Sequence, residues 1–162
     1  MFWRKHFWYN FLMGINLSSE YLGPNVVEIP TGQTAVVSKG QLGKTKDDLV
    51  GCRVIVLKEP SRCIVSHGGP LLNKQILSQI EAEEANPQSV IIYSLTYSDY
   101  IKGYSWRPVN WLDYQADCDE LKISILESFP DVRIEDREYN LKAEVLVDFR
   151  GDEPNVYTRI AK

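Results

Sequence analysis

The chain has 162 residues, is 44% hydrophobic and 11% aromatic, and carries a formal net charge of −4. That is enough apolar material for one domain with its own core, and it excludes a disordered chain. The acidic balance argues against a general nucleic-acid binder, and three scattered cysteines with two histidines give neither a disulfide framework nor a zinc spacing. No cofactor and no metal are expected. The charge is uneven: residues 1–70 hold 8 basic and 5 acidic side chains (+3), and residues 71–162 hold 10 and 17 (−7). A reducing compartment suits free thiols, as does export in an unfolded state to act elsewhere.

Residues 1–162 read as a single domain with a distinctive start. In 1–24, Arg4-Lys5 precedes an aromatic run, but Asn10 interrupts it and no small-residue cleavage site follows. Trp3, Phe7, Phe11 and Leu12 fall near one helical face, which predicts an amphipathic segment packed on the domain, a membrane surface or a partner. No stretch is long enough to span a membrane. Val26 to Ile29 and Gln33 to Ser38 read as short strands separated by Pro30 and Gly32. Lys39 to Asp48 reads as a polar, glycine-bearing loop. Cys52 to Leu57 and Arg62 to Ser66 read as a hairpin closed by a four-residue loop from Lys58 to Ser61. His67-Gly68-Gly69-Pro70 ends it, and Pro70 opens a helix over Leu71 to Glu84 that carries Leu72, Ile76 and Ile80.

Beyond Asn86-Pro87, Ser89 to Tyr97 is a strong strand, with Tyr104 to Trp111 as its partner despite Pro108. Asp117 or Asp119 is positioned to cap a helix to about Ser128, with Leu121, Ile125 and Leu126 inward. Val132 to Arg137 and Leu141 to Phe149 alternate and predict a hairpin through Tyr139-Asn140. Residues 151–162 read as a loosely held tail. The fold class is therefore α/β (α+β): a mixed, largely antiparallel β-sandwich core with a Cys/His-bearing hairpin and two or three flanking helices.

The chemistry concentrates at Leu49-Val50-Gly51-Cys52 and His67. The four-residue loop pairs Leu57 with Arg62, and running that register outward pairs Cys52 with His67. Cross-strand partners have Cβ atoms about 4.5–5.5 Å apart. An imidazole beside a thiol favours the thiolate and later protonates the leaving group. Gly51 permits close backbone approach, and N–H groups around Cys52 are placed to hold an oxyanion. The imidazole also needs an orienting acceptor, for which Thr45, Ser66 or a backbone carbonyl qualify. The structural alternative is plain: a cysteine in a β-branched run is most often core, and a histidine ending a strand is most often just polar.

Residues 49–69, LVGCRVIVLKEPSRCIVSHGG, resemble the active-site hairpin of the cysteine-dependent protein glutamine deamidases. That group includes the catalytic domain of the cytotoxic necrotising factors, the Burkholderia lethal factor and, more distantly, CheD. The shared features are an L/V-x-Gly-Cys motif and a later histidine; here Val50 replaces a frequent serine, and Thr45 aligns loosely with a threonine of some members. The resemblance implies Cys52 as nucleophile, His67 as base, and conversion of a protein glutamine to glutamate through a thioester that also suits transfer to an amine. It further implies a toxin-like effector secreted into a host cytosol, or otherwise a cytoplasmic protein. Its substrate would be a host protein such as a small GTPase or translation factor.

Other residues read as structural: the aromatic set Tyr97, Tyr100, Tyr104, Trp106 and Trp111; Cys63 on the dyad's face; Cys118 near a helix start; and Glu81, Glu83 and Glu84 on a solvated face. His6 has no chemical partner in sequence. Two competing readings involve no chemistry. One is an SH3-like binding module over Gln33 to Ser66 with a basic loop (Lys39, Lys44, Lys46). The other is a partner-blocking protein of the immunity or anti-defence kind.

Overall fold

The computed structural model describes residues 25–46, 49, 51–69, 73–103 and 110–161. The amphipathic segment expected in 1–24, His6, Tyr104 and Trp106 lie outside them. Among the described residues the strands are β1 (Val26–Ile29), β2 (Gln33–Ser38), β3 (Leu42–Thr45), β4 (Arg53–Lys58), β5 (Arg62–Gly68), β6 (Ser89–Leu95), β7 (Arg133–Tyr139), β8 (Ala143–Asp148) and β9 (Asn155–Ile160). The helices are α1 (Asn73–Ala82), α2 (Tyr97–Gly103) and α3 (Trp111–Ser128).

The strands form a four-stranded sheet, β1-β3-β8-β9, and a five-stranded sheet, β2-β5-β4-β6-β7. Only β1–β3 and β6–β7 pair in parallel. Side-chain alternation explains the layering. Val54, Val56, Cys63, Val65, Ile91 and Tyr93 point one way, into a core shared with Ile29, Val145, Val147 and Val156 of the other sheet. Ile55, Leu57, Ile64, Val90 and Ile92 point the other way, against Ile76 and Ile80 of α1 and Leu121 and Ile125 of α3. The expected mixed sandwich with flanking helices is what the chain forms, and helices cover the outer face of the larger sheet.

Several elements depart from the sequence reading. The supposed loop Lys39 to Asp48 contains β3, whose central Gly43 lies against the other sheet. A Cβ there would sit 2.4 Å from Val37 Cγ2, so the glycine that suggested a loop instead permits close packing of the layers. The segments around Tyr139-Asn140 do not form a hairpin. β7 runs parallel to β6 and β8 joins the other sheet, with the chain crossing near Lys142, whose φ is +63°. Trp111 opens α3 rather than ending a strand. The cap is Asn110, whose side-chain oxygen accepts from the Asp113 N–H at 2.9 Å, and Asp117 and Asp119 lie within the helix. The tail after Gly151 carries β9, which pairs with β8 from Ala143↔Ile160 to Asp148↔Asn155. Leu71 and Leu72 lie outside the described residues.

Gly43→Ala is expected to destabilise the fold by about 1–3 kcal/mol through overpacking against the fully buried Val37. Gly151→Ala, where the added Cβ would meet nothing closer than 4.0 Å, is expected to stay within about 0.5 kcal/mol. Urea unfolding of the two variants measures the difference.

Candidate functional site

The hairpin that carries the cysteine and the histidine forms in a different register from the expected one. Glu59 N–H donates to the Arg62 carbonyl at 2.9 Å, so only Pro60 and Ser61 form the loop. Each pair shifts by two: Val54 faces His67 and Arg53 faces Gly68. Because the shift is even, every side chain keeps its face. Cys52 therefore lies diagonal to His67 rather than opposite it, one step beyond the paired end of β4. Its side chain joins the inter-sheet core with Val54 and Val65.

His67 is 0% exposed and Cys52 8%. The imidazole Nδ1 lies 3.0 Å from the Ile29 carbonyl oxygen. A carbonyl can only accept, so Nδ1 carries a proton, and in the neutral ring Nε2 keeps the lone pair. Of the three candidate acceptors, the backbone carbonyl orients the ring. Ser66 points to the opposite face, where its Oγ is 2.7 Å from Thr34 Oγ1. Thr45 is buried with its Oγ1 accepting from the Val145 N–H at 3.0 Å. Ser66 thus has a structural role in place of the expected one. The Ile29 oxygen also accepts from Lys46 N–H at 2.9 Å, which ties the end of β1 to the stretch leading towards Cys52. Thr31 Oγ1 is 3.4 Å from Nε2.

The backbone at Cys52 is held on both sides. Gly51 is buried with φ +72°, a left-handed conformation that glycine adopts without a Cβ penalty. The Tyr139 hydroxyl donates to the Cys52 carbonyl at 2.6 Å. The next residue, Arg53, is 1% exposed and points towards the helices. Its Nε donates to Cys118 Sγ at 2.8 Å, and its Nη atoms donate to Asn73 Oδ1 at 3.1 Å, the Tyr114 carbonyl at 3.1 Å and the Asp117 carboxylate. Its guanidinium carbon lies 4.7 Å from the Tyr114 ring centre. Burial pulls the Arg53 pKa down, but Cys118, Asp117 and Tyr114 outweigh it, so the net shift is upward.

None of Arg53, Asp117, Asn73, Tyr139, Ile29 and Thr31 stood out in the sequence as part of a site. Arg53 had a signal: a lone charge opening an apolar strand needs a buried partner. The Ile29 carbonyl had none, because every residue has one.

The other cysteines are structural in setting. Burial pushes the Cys63 thiol up to about 11. Cys118 lies two turns inside α3, away from its N-terminus, and burial raises its pKa against the pull of Arg53. Tyr97 and Trp111 (5.0 Å, tilted), Tyr100 and Trp111 (5.2 Å, edge-on) and Trp111 and Tyr114 (5.5 Å, stacked) form an aromatic cluster. Of the three loop lysines, Lys39 pairs with Asp152 and Lys44 with Glu28. Among the described residues, no three His, Cys, Asp or Glu side chains gather to hold a metal ion, and no helix is long and apolar enough to cross a membrane.

No family model and no curated protein matches the chain. Among solved structures, the C-terminal domain of CNFy from Yersinia pseudotuberculosis is similar at 10% identity and a TM-score of 0.36, over 82% of this chain. The chain spans 55% of that domain's length.

Removing the carboxylate in Asp117→Ala leaves the Arg53 guanidinium buried without its counter-charge. The expected loss is about 3–5 kcal/mol, measured by urea unfolding, and adding Arg53→Met to that background should recover part of it. A second expectation concerns alkaline pH. Cys63 ionises near 9.0 ordinarily but near 11 here, and burial likewise pushes Tyr114 from 10.0 to about 12. The unfolded chain therefore holds fewer protons in this range, so stability falls as pH rises above about 9. Each group contributes about 2–3 kcal/mol to the loss once pH exceeds its folded value. Urea midpoints measured from pH 8 upward should drop, and Cys63→Val should flatten the part between about pH 9 and 11.

Proposed function

We propose that the chain is a protein glutamine deamidase that works through a Cys52 thioester, with His67 as its base. The observation that carries this reading is the contact of His67 Nδ1 with the Ile29 carbonyl. With Nδ1–H bound to the Ile29 carbonyl, the basic nitrogen is Nε2, on a ring that shares the Cys52 face of the sheet. The deamidase-like hairpin sequence supplies the reaction class.

In this reading the Cys52 Sγ proton passes to Nε2 and the thiolate attacks the carboxamide carbon of a substrate glutamine. The C–N bond breaks, the Nε2 proton goes to the departing nitrogen, and ammonia leaves a thioester. Water then attacks, giving its proton to Nε2. The C–S bond breaks, the thiol recovers a proton, and the net change is glutamine plus water to glutamate plus ammonia. The Ile29 carbonyl steadies the imidazolium in both halves. The left-handed turn at Gly51 and the Tyr139 bond to the Cys52 carbonyl fix the backbone whose N–H groups would face the oxyanion. The substrate in this reading is a protein of a host cell, such as a small GTPase or translation factor, and the chain acts as a secreted, toxin-like effector.

The test needs no substrate at first. Alkylation of each cysteine is followed against pH by peptide mass spectrometry. Cys52 should react below the free-thiol pKa of about 8.5 while Cys63 and Cys118 stay slow, and His67→Ala should remove that reactivity. With a target in hand, Cys52→Ser should lower glutamine-to-glutamate conversion on the order of 10⁴-fold or more and leave the unfolding midpoint unchanged. A His67→Ala profile that superimposes on wild type would sink the reading.

A further inference from the structure

The turn between β1 and β2 presents one exposed hydroxyl to a buried ring. Thr31 is exposed and His67 is 0% exposed, yet Thr31 Oγ1 lies 3.4 Å from Nε2. The turn is anchored at several points. Gln33 N–H donates to the Pro30 carbonyl at 3.1 Å, and Gly32 N–H donates to the His67 carbonyl at 2.6 Å. From α1, the Gln79 and Gln75 side-chain amides donate to the Gly32 carbonyl at 3.1 and 3.4 Å. Gly32 has φ +79°, which lets the chain reverse at once after Thr31. The backbone that carries the Thr31 hydroxyl is thereby held beside the ring.

We propose that Thr31 is a positioning residue for His67: its hydroxyl oxygen accepts from Nε2–H when the ring is charged and so steadies the imidazolium. The inference rests on the deamidase reading of Cys52 and His67 and extends it to the second ring nitrogen. A hydroxyl suits this place because it can be donor or acceptor without gaining or losing a proton. When the Sγ proton moves to Nε2, the Thr31 oxygen is in place to accept from it. That bond is charge-assisted and therefore stronger than a neutral one. Ile29 at Nδ1 and Thr31 at Nε2 then hold the ring from both ends.

The test compares Thr31→Val, which keeps the shape and loses the hydroxyl, with Thr31→Ser, which restores it. The ¹⁵N resonance of His67 Nε2 reads the contact directly, and a His6→Gln background leaves one histidine to observe, since the chain has only two. The resonance should move in Thr31→Val and return in Thr31→Ser. Cys52 alkylation near neutral pH should slow by about 2–10-fold in the valine variant, the range of one hydrogen bond, and recover in the serine variant. A valine spectrum that superimposes on wild type overturns the proposal. So does a moved resonance with unchanged alkylation, in a protein whose alkylation does slow in His67→Ala. If His67→Ala itself changes nothing, the deamidase reading fails, while the Nε2 resonance still decides whether Thr31 binds the ring.

Discussion

The buried guanidinium of Arg53 is the interaction on which the rest of the molecule depends. Placing a permanent charge at 1% exposure is unfavourable unless every N–H finds a partner. The chain supplies those partners from two helices: Asn73 at the start of α1, and Tyr114, Asp117 and Cys118 along α3. Asn73 also donates to the Asp117 side chain at 2.7 Å and to the Asp117 carbonyl at 2.9 Å, so the helices are tied to each other as well as to β4. One residue earlier in the chain is Cys52. The network thus fixes the outer layer of the fold and the peptide next to the candidate nucleophile with the same bonds. Tyr114 extends the tie further, because its hydroxyl accepts from the Leu95 N–H at the end of β6.

The architecture was legible where one side chain pattern meets one environment. Val54, Val56, Ile55 and Leu57 are buried on both faces of a central strand, and their β-branched run announces it. Ile76 and Ile80 mark the buried stripe of α1. Legibility failed where a residue's local preference was overruled by distant packing. Gly43 reads as a loop residue until Val37 is brought against it. The alternating pattern of 132–149 is equally good for a hairpin and for two strands in different sheets, and local periodicity contains nothing to choose between them. Asn110 caps α3 just after Pro108, a proline that in sequence equally marks a break in a strand.

The site shows the same division. Residue type and a shared face single out Cys52 and His67 in the sequence, and an even register shift leaves that face unchanged. The acceptor for the imidazole was one of three candidates, because side chains are visible in a sequence and carbonyl directions are not. Thr45 and Ser66 have the right chemistry, but each is committed elsewhere: Thr45 bridges β3 to β8, and Ser66 bridges β5 to β2 on the helix side. What decides among chemically equivalent acceptors is where β1 ends.

That the orienting acceptor is a main-chain oxygen has a consequence for how such a protein can vary. No side-chain replacement removes a carbonyl, so the identity of residue 29 is answerable only to the core it fills and not to the ring it steadies. A substitution scan across β1 would register volume and shape and would never reveal the partner of the histidine. The feature is carried by the path of the strand, and only a change in that path, such as an inserted residue before Pro30, would take it away. A chain built this way can diverge widely in letters at that position while the histidine goes on meeting the same atom.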